Sequence, residues 1–125
     1  MANSRFKSWQ AYEQSFKLAS SIFRMTQQFP KAEMYSLTDQ IRRSSRSVCA
    51  NLTESYGRRE YPKHFHSKLA DCASENFETQ VWLDFALDCD YITEDIHGQY
   101  LDASERAGKL ISYMQAHPER FLKAR

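Results

Sequence analysis

Apolar residues recur at alternating intervals of three and four along most of the chain, and this spacing constrains the fold more than any other feature. An α-helix turns once in 3.6 residues, so the spacing places apolar side chains on one helix face. The first run has two neighbouring stripes, namely Trp9, Tyr12, Phe16, Ala19 and Phe23, and Leu18, Ile22, Met25 and Phe29. We expect Pro30 and Pro118 to end the first and the last helix, because proline lacks a backbone donor.

Three further segments show the same periodicity. Ser36 is predicted to begin the second helix by capping the free amide of Asp39, and Gly57 to end it in a left-handed conformation. Pro62 fits the first turn of the third helix, and the fourth is expected to start near Thr93. The predicted inward stripes are Leu37, Ile41, Ser44, Val48 and Leu52; Phe65, Leu69, Cys72, Asn76, Leu83 and Leu87, with Ala70, Ala73 and Phe77 beside them; and Ile96, Tyr100, Ala103, Ala107, Leu110 and Met114.

The connections between the four predicted helices are short, which makes consecutive helices antiparallel. Three Gly and three Pro among 125 residues are too few for the turns of a sandwich or barrel of short strands. A chain of this length buries one sizeable core rather than two. We therefore predict an all-α, antiparallel up-down-up-down four-helix bundle in which residues 1–125 form a single domain.

Charge is balanced overall but unevenly distributed. The 17 Lys and Arg against 16 Asp and Glu give a net charge of +1, unlike the basic excess of a dedicated nucleic-acid binder. Residues 69–105 contain ten acids and no Lys or Arg, whereas residues 42–68 hold seven basic residues and two acids. The seven are Arg42, Arg43, Arg46, Arg58, Arg59, Lys63 and Lys68. They form the candidate surface for nucleic acid.

The second half of the third predicted helix is apolar on nearly every side. Residues 81–87 contain a single polar side chain, Asp84. A helix that is apolar all round must be covered on more than one side, and the double-striped first helix has the same need. Other copies of the chain would provide that cover, so we predict a homo-oligomer with Trp82 and Phe85 as candidate interface anchors. Phe77 is instead predicted to belong to the core of the subunit.

Catalytic and metal-binding patterns are scarce. Glu94 and His97 have the Glu-x-x-His spacing of di-iron sites in helix bundles, which need two such motifs and two further carboxylates, but this chain has one. His64 and His66 are interpreted as exposed residues on different helix faces. The acids near the predicted third turn are interpreted as a solvated rim, with a cation site as the alternative: Asp84, Asp88, Asp90, Glu94 and Asp95. We therefore predict a non-enzymatic protein with no catalytic residue, metal or cofactor. The alternative function is that of an enzyme.

Cysteine usage and the absence of apolar runs suggest a compartment. Cys49, Cys72 and Cys89 form no Cys-x-x-Cys pair, and an odd number does not suit a disulfide scaffold, so we expect reduced, buried thiols. The first ten residues lack the apolar core of a signal peptide, and no apolar run is long enough to span a bilayer. We expect a cytoplasmic protein that does not contact membranes.

The densest polar pattern lies in residues 44–59. Within it, Asn51, Glu54 and Arg58 follow at helical spacing, so that Glu54 and Arg58 can pair on one face. Small residues nearby would let a neighbouring helix approach closely. We interpret the pattern as a partly buried hydrogen-bond network that fixes the register of the bundle. The alternative is an anion site at Arg58 and Arg59.

Residues 47–58 resemble the Ser-x-x-x-Asn-Ile-Ala-Glu-Gly-x-Gly-Arg core of a family of bacterial four-helix bundle proteins. Members of this family were first noticed as reading frames within intervening sequences of large-subunit ribosomal RNA genes. Leu52, Thr53 and Ser55 depart from the pattern. Further similar stretches are residues 37–43, 78–83 and 90–92. The motif residues so assigned are Asn51, Glu54, Gly57, Arg58 and Glu78.

The resemblance implies a ring-like homopentamer of four-helix bundles with no known catalytic activity. The family is also similar to a strongly basic accessory protein of diversity-generating retroelements, which binds RNA and a reverse transcriptase. We therefore expect a non-enzymatic, homo-oligomeric interaction scaffold. The alternative is an RNA-binding or other nucleic-acid-binding accessory protein that uses the basic face of residues 42–68. The partner protein and the cellular process stay open.

Overall fold

The computed structural model describes residues 6–124 and is helical throughout, with no strand in that part of the chain. The four long helices are α1 (Gln10–Thr26), α2 (Leu37–Gly57), α3 (Pro62–Asp88) and α4 (Glu94–Ala116). Short 3₁₀ turns lie at Phe6–Ser8, Lys31–Glu33 and Pro118–Arg120.

In cross-section, the four helices lie at the corners of a square. Each packs against the next along the chain, and α1 also packs against α4, so that α1 lies diagonally across from α3. The tight connections make neighbours antiparallel. The predicted antiparallel up-down-up-down four-helix bundle is confirmed. Because the four helices share one central core, each has one buried face.

Fully buried aliphatic and aromatic side chains from all four helices form the core. They include Ile22, Ile41, Leu52, Phe65, Leu69, Leu83 and Ile111. Each such burial contributes about 1.5–3 kcal/mol relative to exposure, which is the main force that holds the helices together. Every position of the predicted α2 stripe is buried. In α4 the inward line is shifted by one position for part of its length, so that Ser104 and Ile111 are buried whereas Ala103 and Leu110 are half-buried.

The ends of the helices follow the sequence only in part. Thr93 caps α4, since its Oγ1 accepts a hydrogen bond from the backbone amide three residues on at 3.2 Å. The predicted cap by Ser36 is wrong. The carboxylate of Glu33 accepts both the Ser36 hydroxyl, at 2.6 Å, and the Leu37 amide, at 3.2 Å, and so replaces serine as the cap. Gly57 ends α2, but its φ is not positive, so the predicted left-handed cap is also wrong.

Phe77 does not belong to the core, contrary to the prediction. Its side chain lies on the outer surface of α3, because the buried line of this helix runs through Leu83 and the smaller residues Asn76, Thr79 and Ala86. Small side chains let α2 and α4 approach closely, and the bulky ring one position further round the helix is left outside. The first stripe of α1 behaves in the same way: only Ala19 of that stripe is buried.

Candidate interaction surfaces

An apolar line runs along the outside of α3. Phe77, Val81 and Phe85 are 64%, 46% and 51% exposed, and their spacing of four places them on one face. We call these three residues the α3 stripe. Trp82 lies beside it and is half-buried, and its indole N–H donates to a Glu78 carboxylate oxygen at 3.3 Å. The stripe therefore offers two aromatic rings and a valine to a partner, with the indole at its margin.

A second apolar surface is a groove between α1 and α2 with a volume of about 380 Å³. We call it the α1–α2 groove. Its lining consists of Tyr12, Phe16, Ala19, Ser20, Phe23, Arg46 and Cys49. Phe16 and Phe23 are 57% and 36% exposed, so the groove keeps aromatic surface in contact with water. Both rings come from the α1 stripe that the core leaves uncovered.

Arginines hold one edge of the groove. The guanidinium carbons of Arg42 and Arg46 lie 4.5 Å and 5.2 Å from the centre of the Phe23 ring. The Nε of Arg42 also donates to Thr26 Oγ1 at 2.8 Å. Attraction between a guanidinium and the face of an aromatic ring fixes these charges beside apolar surface. The edge of the groove is therefore positive.

Six of the seven basic residues predicted as a nucleic-acid surface fall into two groups. The first lies in the first half of α2 and consists of Arg42, Arg43 and Arg46. The second lies around the turn from α2 to α3 and consists of Arg58, Arg59 and Lys63. Arg46 and Arg58 are separated by about 18 Å of helix at 1.5 Å per residue. Lys68 belongs to α3, where its Nζ contacts Glu54 Oε1 at 2.7 Å, and this contact raises the pKa of Lys68, an effect that the charge of Arg58 opposes.

These basic side chains differ in how many contacts they form with other residues of the same subunit. Arg59 stacks with its guanidinium carbon 3.6 Å from the centre of the Tyr56 ring, and its Nε donates to the Tyr56 carbonyl at 2.9 Å. Arg58 and Lys63 are exposed and form no ion pair within residues 6–124. They are the most available cations of the predicted surface.

Arg43 and Arg46 line a cleft with Glu75 and Glu78 of α3, so that Arg46 lies between this cleft and the α1–α2 groove. Burial raises the pKa of Glu75, Glu78 adds to this effect, and Arg43 opposes it. The electrostatic influence of Arg43 is thus directed partly into the subunit, towards Glu75 of α3.

The acids near the third turn hold a histidine. The Nε2 of His97 lies 2.8 Å from Asp84 Oδ1, whereas Glu94 is exposed in the first turn of α4. Across residues 6–124, no three side chains of His, Cys, Asp or Glu are grouped closely enough to hold a metal ion. His64 and His66 are exposed, as predicted. No helix in the described part of the chain combines the length and apolarity needed to span a membrane.

The three thiols lie in different surroundings. Cys72 is buried, Cys49 is half-buried in the α1–α2 groove, and Cys89 is exposed at the end of α3. The prediction of buried packing is therefore wrong for Cys89. Burial raises the pKa of Cys49 to about 11 and raises that of Cys72 as well. The thiols of Cys49 and Cys72 therefore stay protonated at neutral pH, which makes them poor nucleophiles.

Comparison with known proteins identifies the family. The model of the 23S rRNA-intervening sequence protein family matches residues 7–113. The chain belongs to this family. A crystal structure of a protein of unknown function from the S23 ribosomal protein family of Bacteroides thetaiotaomicron aligns with a TM-score of 0.76 and 23% identity, covering 85% of this chain and 95% of that one. At that identity the likeness shows the fold alone. No curated protein matches the chain.

The motif that carries the family resemblance has a structural arrangement different from the predicted pairing. Glu54 binds Lys68 of α3 rather than Arg58, so the predicted Glu54–Arg58 pair is wrong. A cation from the neighbouring helix reaches the carboxylate, which spacing along one helix cannot reveal. The amide Nδ2 of Asn51 donates to the Ser47 carbonyl at 3.0 Å. The motif of this 23S rRNA-intervening sequence protein thus links α2 to α3.

Buried polar bonds join α3 to both of its neighbours, and only Ser44 among them comes from the polar segment of residues 44–59. The hydroxyls of Ser44 and Thr79 are 2.8 Å apart in the seam between α2 and α3. In the seam between α3 and α4, Asn76 Nδ2 donates to the Ser104 carbonyl at 2.9 Å, and Ser104 Oγ donates to Asn76 Oδ1 at 3.0 Å. Gln80 Nε2 adds a donor to Ser104 Oγ at 3.0 Å. Sequence reasoning placed Ser44 and Asn76 inward but missed their partners, for which the only signal was a polar residue on a buried face.

Proposed function

We propose that the protein is a non-enzymatic, cytoplasmic, homo-oligomeric four-helix bundle that acts as an interaction scaffold. The observation that supports this is the exposure of large apolar side chains in two places on one subunit, Phe77, Val81 and Phe85 in the α3 stripe and Phe16 and Phe23 in the α1–α2 groove. Clusters of exposed apolar side chains rimmed by charged residues mark interaction sites on soluble proteins. Family membership supports five subunits as the number in the assembly.

The chemistry of the buried groups fits a scaffold better than a catalyst. Cys49 and Cys72 are held protonated by burial, and the buried hydroxyls and amides of Ser44, Asn76 and Ser104 are used in bonds between helices. Groups saturated in this way stabilise the subunit and fix its register. We assign them that role.

Sedimentation velocity at micromolar concentration tests the proposal. We expect a particle of about five times the 14.7 kDa mass of one chain, because the two exposed surfaces are then covered. A species with the mass of one chain across the micromolar range would contradict the oligomer, and the scaffold with it.

RNA binding is the second candidate function, and the exposure of Arg58 and Lys63 without an ion pair in residues 6–124 favours it. Five copies of this group on one particle would present a repeated positive surface. Binding of a structured RNA should weaken steeply with salt, because each neutralised phosphate releases counterions. The variant Arg58→Glu/Lys63→Glu should bind less, whereas Lys109→Glu, on the exposed side of α4, is the control. Retention that stays unchanged over a fourfold increase in salt would exclude phosphate contacts.

A further inference from the structure

The α3 stripe and the α1–α2 groove are complementary in charge as well as in apolar character. The exposed acids Asp84 and Asp88 lie on the same side of α3 as the stripe, in a segment that has no Lys or Arg. The groove is edged instead by Arg42 and Arg46 beside the Phe23 ring. An apolar line with an acidic margin thus faces outward on one helix, and an apolar groove with a basic margin lies between two others.

These two surfaces cannot meet within one subunit. α1 lies diagonally across the bundle from α3, and the groove opens on the side of α1 where α2 lies. The stripe points away from the core, and its acidic margin lies towards α4, where Asp84 contacts His97 at 2.8 Å. Each subunit therefore carries one of each surface, on different sides.

We infer that the α3 stripe of one copy docks into the α1–α2 groove of the next copy, head to tail. The inference rests on the proposed function, in which the protein is a homo-oligomer. Phe77 and Phe85 enter the groove beside Phe16 and Phe23, and the acids of the stripe face the arginines of the groove. Contacts between two different surfaces propagate from copy to copy and form a ring when the rotation between copies closes, unlike a self-complementary contact, which stops at a dimer.

A second copy is the occupant that accounts for both surfaces at once. Each copy of the chain carries one α3 stripe with an acidic margin and one α1–α2 groove with a basic margin, so the two surfaces occur in equal number. Aromatic rings seated in a desolvated pocket carry most of the affinity at protein interfaces, and flanking charges select the partner. A different protein would have to match each surface separately.

Two single variants and their mixture test the inference. Phe16→Glu blocks the groove and Phe85→Glu blocks the stripe, and both rings are more than half exposed, so the fold should survive. Each variant alone should sediment as a single chain. An equimolar mixture should form a dimer, because the groove of the Phe85→Glu copy can still accept the stripe of the Phe16→Glu copy. Tyr35→Glu, at a residue that is 91% exposed and outside both surfaces, should keep the wild-type mass.

The outcomes separate this inference from the proposed function. If the wild type is a single chain, both fail. If the wild type is an oligomer and either variant keeps its mass, or if the two single-chain variants do not pair when mixed, head-to-tail docking is overturned and the oligomer stands. Circular dichroism checks folding, and Phe16→Gln and Phe85→Gln replace any variant that unfolds.

A charge exchange tests the orientation of the contact. Asp84→Lys/Asp88→Lys should raise the dissociation constant of the assembly by roughly tenfold or more, since like charges then face each other. Adding Arg46→Glu to the same chain should recover part of that loss. A further loss on adding Arg46→Glu would show that the acids do not face this arginine, and would overturn the docking orientation.

Discussion

α2 and α3 pack against each other more extensively than any other pair of helices, yet they use their apolar residues differently. α2 buries every residue of its inward stripe and presents polar residues outside. In its second half α3 buries Leu83 together with three small or polar residues, and it carries Phe77, Val81 and Phe85 outside. The apolar residues of α2 therefore contribute to the core of the subunit alone, whereas those of α3 form part of the core and also an outer surface that other chains can cover.

The largest expected effect separates the two faces of α3. Phe65 is fully buried, so Phe65→Ala should lower the free energy of unfolding by about 3–5 kcal/mol. Phe77→Ala should change it by less than about 0.5 kcal/mol, because the ring lies in solvent. Urea unfolding in the Phe85→Glu background measures both values without a contribution from assembly. Equal losses would show that Phe77 is in the core after all and would break the comparison.

The next effect compares the two seams of α3. Ser104→Ala removes the hydroxyl shared by Asn76 and Gln80 and should cost about 1–3 kcal/mol, since buried polar groups then lack partners. Ser44→Ala should cost less, because the Thr79 hydroxyl still donates to the Glu75 carbonyl at 2.9 Å. Thermal unfolding at a fixed concentration ranks the two variants. The reverse order would place the critical polar bond between α2 and α3.

How far the sequence determines this structure differs along the chain. For α2, the 3,4 spacing finds every residue of the buried apolar stripe but misses the buried polar residues beside it, Thr38, Ser45 and Ser55, because polarity alone does not show that they face inward. Pro62 and Thr93 also marked helix starts correctly, since their effects are local. For α1, two adjacent apolar stripes compete, and spacing alone cannot say that Ile22 goes inside whereas Phe16 stays outside.

The errors at the candidate surfaces have a common physical cause. Phe77 is apolar and adjoins the predicted inward stripe, which favours a place in the core. The neighbouring residues Asn76 and Thr79 are buried instead, because their small side chains let the helices approach closely. The partner of Glu54 was missed because Lys68 comes from another helix, and pairing between helices depends on their rotation. The family resemblance, by contrast, was carried by local motifs and is confirmed.

A smaller effect is expected at the end of α3, where Asp90 has a φ of 62°. This left-handed conformation costs an L residue about 1–2 kcal/mol, and an Asp side chain offsets part of the cost when it forms local hydrogen bonds. We therefore expect Asp90→Ala to destabilise the protein by roughly 1 kcal/mol. Asp90→Gly should be neutral or slightly stabilising. Denaturant unfolding of the two variants measures the difference. Identical midpoints would mean that the turn relaxes out of the left-handed region.

The smallest effect concerns the contact that joins the start of α2 to the end of α3. Tyr91 donates to Glu33 at 2.7 Å. Bonds from Ser36 and Tyr91 lower the pKa of Glu33, so its contribution is present above its unfolded pKa and is lost as pH falls through the folded one. The bond to Glu33 raises the pKa of Tyr91 to about 12, so that contribution is lost as pH rises through about 12.

The Tyr91→Phe variant tests this link. It should be slightly less stable than the wild type at neutral pH, and the difference should shrink in acid as Glu33 is protonated. Thermal unfolding of both proteins across the acid range measures it. A difference that does not change with pH would show that the hydroxyl acts by packing alone.

Side-chain accessibility on the wild-type particle tests the central claim most directly. Hydroxyl-radical labelling followed by mass spectrometry reports the exposure of each aromatic ring in solution. We predict that Phe77 and Phe85 are strongly protected relative to Tyr35, and that both become reactive when Phe16→Glu blocks assembly. The account would be contradicted if Phe77 and Phe85 reacted in the wild type as strongly as their exposure in one subunit allows, because the outer face of α3 would then have no partner.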